Sequence, residues 1–168
     1  VKDVRLDRLT EMYEPKKTIP TSYEFTDIAG LVRGASKGEG LGNKFLSHIR
    51  ETDAIVEVVR CFDNGKIIHV DGNVDPIRDL ETINLELIIS DLEMVTNRLG
   101  KISKRALMSK DKQEKLEYEL LEKIKTTLEE NQPVRHIDFK DEELKILKSY
   151  NFLTIKPIIY VANIDESM

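Results

Sequence analysis

Apolar positions fall into distinct rhythms along this chain, and each rhythm predicts an element. Between residues 3 and 13, Leu6, Leu9 and Met12 or Tyr13 recur every three or four residues, which is one face of a short helix. Pro15 and Pro20 end that helix and bracket a turn. Thr21 to Asp27 reads as a strand. Leu41 to Thr52 reads as a helix with Phe45, Leu46 and Ile49 inward. Ala54 to Phe62 is dominated by Ile, Val and Cys and reads as a buried strand. Asp63 to Pro76 is loop-like, with Asn64-Gly65, Asp71-Gly72-Asn73 and Asp75-Pro76 as turn signals.

The texture changes near Ile77. Leu85, Ile88, Leu92, Val95, Leu99 and Ile102 step by three and four alternately, a heptad seam. A polar break is expected from Ser103 to Lys112, after which Leu116, Leu120 or Leu121, Ile124 and Leu128 form a second stripe. Either helix alone would expose its stripe, and folding one back on the other buries both. Residues 78–131 therefore predict an antiparallel helical hairpin, Asp141 to Lys148 a third short helix, and Lys156 to Ala162 a buried strand ending at Asn163-Ile164-Asp165-Glu166. Strands alternating with helices point to an α/β parallel sheet. Ligands of such sheets bind outside the carboxyl ends of strands, where Asp27 and Asn163 are expected to stand.

Composition narrows the class. The 168 residues are enough for one domain with a real core, and 34% charged with 40% hydrophobic fits a soluble, helix-rich protein. No apolar run approaches the roughly 20 residues of a membrane span, so no membrane partner is expected. No signal peptide or initiator Met is visible, so the chain reads as an internal piece of something longer. A single cysteine, Cys61, excludes an internal disulfide, fits a reducing compartment and reads as a buried, inert thiol. The net charge of −5 argues against a whole-surface nucleic-acid binder and leaves room for a local basic patch.

The candidate chemistry begins where the first strand should end. Asp27-x-x-Gly30 is followed by Gly34, Gly38, Gly40 and Gly42. A carboxylate there can orient Mg²⁺, a backbone N–H three residues on can meet a terminal phosphate, and the glycines let the segment reorder when that phosphate leaves. The plain alternative is a turn in which Asp27 caps the next segment. Asn163-x-x-Glu166 matches the base-reading Asn-Lys-x-Asp of GTPases with two departures. The Asp of that motif accepts from guanine's ring N–H and amino group, so a longer Glu removes the basis of guanine selection. Asn163 can still bond an adenine edge; its plain alternative is a polar strand end. The chain has no G-x-x-x-x-G-K-[ST] phosphate loop.

The two motifs together, with the text between them, resemble the YchF, or Obg-like ATPase, subfamily of phosphate-loop NTPases. The resemblance rests on Asp27-Ile28-Ala29-Gly30-Leu31-Val32, on Gly34 through Leu46, on Ile49 through Ala54 and on Val59-Arg60-Cys61-Phe62. Ile68-His69-Val70, Val74-Asp75-Pro76 and Phe152 through Pro157 also fit. It covers essentially the whole chain.

The resemblance implies a G domain with an inserted coiled-coil arm: residues 1–77 and 150–168 as part of the G domain, 78–149 as the arm. It implies ATP rather than GTP as substrate, Mg²⁺ held by Asp27 through water, and γ-phosphate contact by the Gly30 N–H. Leu31 stands where Ras-like proteins place the water-orienting glutamine, and an apolar side chain cannot do that work. The resemblance makes His69 the candidate for it. His48 and His136 have no such support and read as surface residues. The resemblance further implies a cytoplasmic protein that associates with the ribosome or RNA. Its basic hairpin tip would comprise Lys101, Lys104, Arg105, Lys110, Lys112 and Lys115. No aromatic residue interleaves with these cations, which speaks against base stacking.

In the subfamily a Walker A strand and loop precede this region and a TGS domain follows it. Without the phosphate cradle the 168 residues are expected to be inactive as an ATPase. Without the strand, an edge and part of the core are expected to be open. Two other readings follow: a non-catalytic helical-arm module contacting ribosome, RNA or protein, and a strand-exchanged homodimer.

Overall fold

The computed structural model describes residues 1–28, 41–63 and 72–166. Helix α1 spans Val4–Tyr13. Asp3 caps it by accepting from the Arg5 N–H, and Glu14 stops it in the left-handed region, with Pro15 next. The sequence-predicted face of Leu9, Met12 and Tyr13 is exposed, so the helix forms locally and buries none of its residues.

Thr21 to Asp27 is not a strand. Among the described residues it pairs with no strand, and Tyr23 and Phe25 are 69% and 81% exposed. A strand is defined by its partner's hydrogen bonds, and this segment has the composition without the partner. Ile28 packs against buried residues of the sheet core.

Helix α2 spans Leu41–Arg50 and buries Leu46 and Ile49, as their spacing predicts. Strand β1, Ile55–Arg60, and strand β2, Ile158–Asn163, pair in parallel with Ile55 opposite Ile158 and Arg60 opposite Asn163. Glu57 and Val59 of β1 face a covered side, while Val56 and Val58 project from the open side.

Helix α3 runs from Pro76 to Met108, capped by Asp75 accepting from the Arg78 N–H, with proline in the first turn where a missing N–H costs nothing. The expected polar break at Ser103–Lys112 shrinks to Ser109–Asp111. Ala106, four residues after Ile102, continues the inward stripe, so Lys104 and Arg105 stand on the outer face of an unbroken helix and Ser103 is half-buried beside the stripe. Helix α4, Lys112–Glu129, returns along α3 and buries Leu120, Leu121, Ile124 and Leu128. A 3-10 turn at Val134–His136 was not read from the sequence; α5, Asp141–Leu147, was.

Two clusters make the core. One lies in the hairpin, with Ile88, Val95, Leu99, the α4 leucines and Ile124, closed by Val134, Leu147 and Phe152. The other lies under the sheet, with Leu46, Ile49, Leu87 and Leu153. Leu85, placed inward by the heptad reading, is exposed, and Leu87 is buried instead. The reason is that α3 serves two partners. Its first turns face the sheet through Ile83 and Leu87, and its inward face then rotates to meet α4. At 25 cal/mol per Å² of apolar surface, each fully buried leucine here contributes roughly 2 kcal/mol.

Candidate functional site

The parallel pairing of β1 and β2 sets the carboxyl ends of both strands side by side. The Cys61 N–H donates to the Asn163 carbonyl at 2.8 Å, extending the ladder past Arg60. Arg60 Nε donates to the Phe62 carbonyl at 3.1 Å, and its guanidinium lies 4.8 Å from the Phe62 ring centroid. Cys61 is half-buried beneath this edge rather than fully enclosed. The Asn163 backbone is thereby fixed while its side chain is exposed, and Glu166 is exposed one turn further on. An amide and a carboxylate at a strand's carboxyl end can offer a planar ligand both a donor and acceptors.

Asp27 is exposed and stands beside the anchored Ile28. Gly30, Leu31, Gly34, Gly38, Gly40 and His69 lie outside the described residues, and Gly42 contributes backbone to the first turn of α2. His48 and His136 are exposed, in line with the sequence reading. Among the described residues no group of three or more His, Cys, Asp or Glu side chains forms a metal cage.

At the hairpin tip Lys101, Lys104, Lys110, Lys112 and Lys115 are exposed. Arg105 differs, because its Nε donates to Glu114 Oε1 at 2.7 Å and its Nη2 also reaches that oxygen. Glu114 thereby sits below the usual carboxylate range, held there chiefly by its hydrogen bond from Arg105. Arg98 bonds Glu117 at 3.0 and 2.6 Å and Tyr150 at 3.1 Å, and the Tyr150 hydroxyl donates to Glu117. Burial and that bond to Glu117 push the phenol up to about 12. This trio fastens α3 and α4 to the end of α5.

The sequence reading missed the most buried polar group. Asp91 is 0% exposed on α3 and accepts from the N–H groups of Leu153 and Thr154, from the Thr154 hydroxyl and from Arg50. Burial pushes its carboxyl up, and the donors around it pull back. A signal was present: position 91 lies three after Ile88 and four before Val95, so a carboxylate falls on the apolar seam.

The family model described as 50S ribosome-binding GTPase matches residues 6–98. The chain is 57% identical over 166 residues to the "Ribosome-binding ATPase YchF" of Bacillus subtilis, covering 99% of this chain and 45% of that protein. It is 48% identical over 166 residues to the "Obg-like ATPase 1" of Oryza sativa subsp. indica, covering 99% of this chain and 42% of that one. The solved structure of the Schizosaccharomyces pombe YchF GTPase superposes with a TM-score of 0.78 at 45% identity, over 99% of this chain and 46% of that chain. The chain thus spans a little under half the length of the relatives it matches.

Proposed function

This chain belongs to the 50S ribosome-binding GTPase family, with the YchF, or Obg-like, ATPases as its relatives, and from that premise we propose that it is the central part of a cytoplasmic ATPase that works on the ribosome. The observation that carries the choice of nucleotide is Asn163-x-x-Glu166 at the carboxyl edge of β2. A guanine-reading site needs a short carboxylate facing the base's two N–H groups. The longer Glu166 removes that fit, and Asn163 retains a donor and an acceptor for an adenine edge.

In this reading residues 1–77 and 150–168 are part of a G domain and 78–149 an inserted arm. Asp27 holds Mg²⁺ through water, and the Gly30 N–H meets the γ-phosphate. The segment with Gly34, Gly38, Gly40 and Gly42 reorders when that phosphate leaves. The metal, when bound, neutralises charge on the phosphates. Leu31 cannot hold the attacking water, so His69 takes that role, accepting its proton through a neutral imidazole. Lys101, Lys104, Lys110 and Lys112 give the tip a phosphate-binding surface, with Arg105 a weaker member because Glu114 already holds it.

The 168 residues contain no phosphate-loop motif, so by themselves they lack the amide cradle that phosphoryl transfer needs. The test is turnover by the natural protein that carries this sequence: ATP hydrolysis reduced about 100-fold or more by Asp27→Ala, and none by the 168-residue chain alone. Turnover by the short chain that Asp27→Ala abolishes would contradict the account.

A second reading, a non-catalytic arm that binds ribosome, RNA or protein, draws support from the hairpin's larger buried core and exposed lysines. It predicts salt-dependent RNA binding indifferent to ATP. Among the described residues β1 and β2 pair only with each other, and their outer edges leave room for a strand-exchanged dimer of the short chain, which light scattering would detect.

A further inference from the structure

Three elements with separate proposed tasks meet at one buried point. α2 continues the glycine-rich segment, α3 is the arm, and Asn151–Lys156 feeds the strand that ends at Asn163. Arg50, the last residue of α2, donates from Nη1 to Asp91 Oδ1 at 3.1 Å and to the Asn151 carbonyl at 3.0 Å. Its Nη2 donates to Ser90 Oγ at 2.9 Å. Asp91 Oδ1 also accepts from the Leu153 N–H at 3.1 Å, and Oδ2 accepts from the N–H and hydroxyl of Thr154, both at 2.8 Å. The Thr154 hydroxyl oxygen accepts in turn from the Val134 N–H, and its carbonyl from the Arg135 N–H.

Lys156 closes the ring. Its Nζ donates to the Arg50 carbonyl at 3.1 Å and to the Thr52 carbonyl, where a helix C-terminus leaves carbonyls without partners. The Arg50 guanidinium spans the Asp91 carboxylate and Ser90 hydroxyl of α3 and the Asn151 carbonyl at once, so a turn of α2 pulls on α3 and on the segment that enters β2. The ion pair itself specifies geometry more than stability, while Asp91 also satisfies the buried N–H groups of Leu153 and Thr154, which an apolar side chain would leave without an acceptor. From Asp91 to Met108 the arm extends about 26 Å, so a 5° rotation at the joint moves the tip about 2 Å.

We propose that Arg50, Asp91 and Thr154 form a positioning joint that couples nucleotide state at the glycine-rich segment to the angle of the arm. The phosphate-rich surface held at the tip and the bound nucleotide then alter each other's affinity. This rests on the ATPase reading given above.

The test uses the natural protein with spin labels at Asp63→Cys, on the sheet just past β1, and at Met108→Cys at the arm's tip, its own cysteines replaced by serine. Distances are measured with and without ATP and Mg²⁺, and turnover is measured separately on the same samples. The joint predicts a distance shift of about 2 Å or more on adding nucleotide. The shift disappears in Arg50→Met/Asp91→Asn, which removes both charges and keeps an amide oxygen for the backbone donors of Leu153 and Thr154, while turnover stays within about twofold. If that pair does not fold, Arg50→Lys, which keeps the charge and loses the fork, carries the comparison. A shift that survives in the folded variant overturns the joint, as does a labelled parent that turns over ATP with its arm distance unchanged. Absence of turnover in the unsubstituted protein is the separate failure of the ATPase reading, and the coupling falls with it.

Discussion

At the scale of single residues, the least comfortable group is Glu57. It is 6% exposed on β1, and among the described residues neither carboxylate oxygen has a hydrogen-bond partner. Burial pushes its carboxyl up to about 7, against the pull of the Arg135 charge. The folded state therefore holds this proton more tightly than the unfolded chain does. The resulting stabilisation is complete below pH 4.5 and is lost as pH rises through about 7. The full loss is about 3 kcal/mol. Urea midpoints at pH 5 and pH 8 should differ in the parent, and Glu57→Gln should flatten the difference, mainly by raising stability at pH 8. Equal pH dependence in parent and variant would mean that the Glu57 carboxylate finds a partner. Glu57 was not foreseen because one acid in a strand of Ile and Val reads as an outward residue; only the pairing with β2 and the cover of α3 decide which side is inside. Asp91 could have been foreseen, because it lies beside Leu92 on the apolar face, three residues after Ile88 and four before Val95.

At the scale of elements, legibility followed how each element is stabilised. The hairpin was readable because an amphipathic helix writes its own partner's position into its stripe, and α3, α4 and α5 fall close to their predicted spans. Its tip was less readable. A polar run in a long helix looks like a break until Ala106 is counted as buried. Thr21–Asp27 differs from its reading because β-rich composition makes a strand only beside a pairing neighbour, and it has none among the described residues. The tip carries its own prediction. Lys101→Glu with Lys104→Glu should weaken RNA binding and reduce the slope of log affinity against log salt by about 2. Arg105→Glu should do less than either lysine change, because Glu114 already occupies the guanidinium. Salt slopes that match the parent's in all three would remove the tip from the binding surface.

At the scale of the whole molecule, two small cores are joined by the Arg50–Asp91–Thr154 joint and by the adjacent Phe152 and Leu153, one in each core. The α/β architecture with a parallel sheet and a long helix was legible from alternation alone, and it agrees with the YchF fold. The nucleotide elements were legible as text, yet the structure places only part of them: Asn163 and Glu166 share the sheet's carboxyl edge, while most of the glycine-rich segment lies outside the described residues. The solved relative is called a GTPase and the curated relatives ATPases, so base choice is where the account is most exposed. Titration calorimetry of the natural protein with ATP and with GTP tests it directly. The account predicts ATP binding at least 10-fold tighter than GTP, with Glu166→Asp narrowing the gap, since one well-made hydrogen bond to a charged group is worth about 1.5–3 kcal/mol. GTP binding as tight as ATP or tighter in the unsubstituted protein would contradict it.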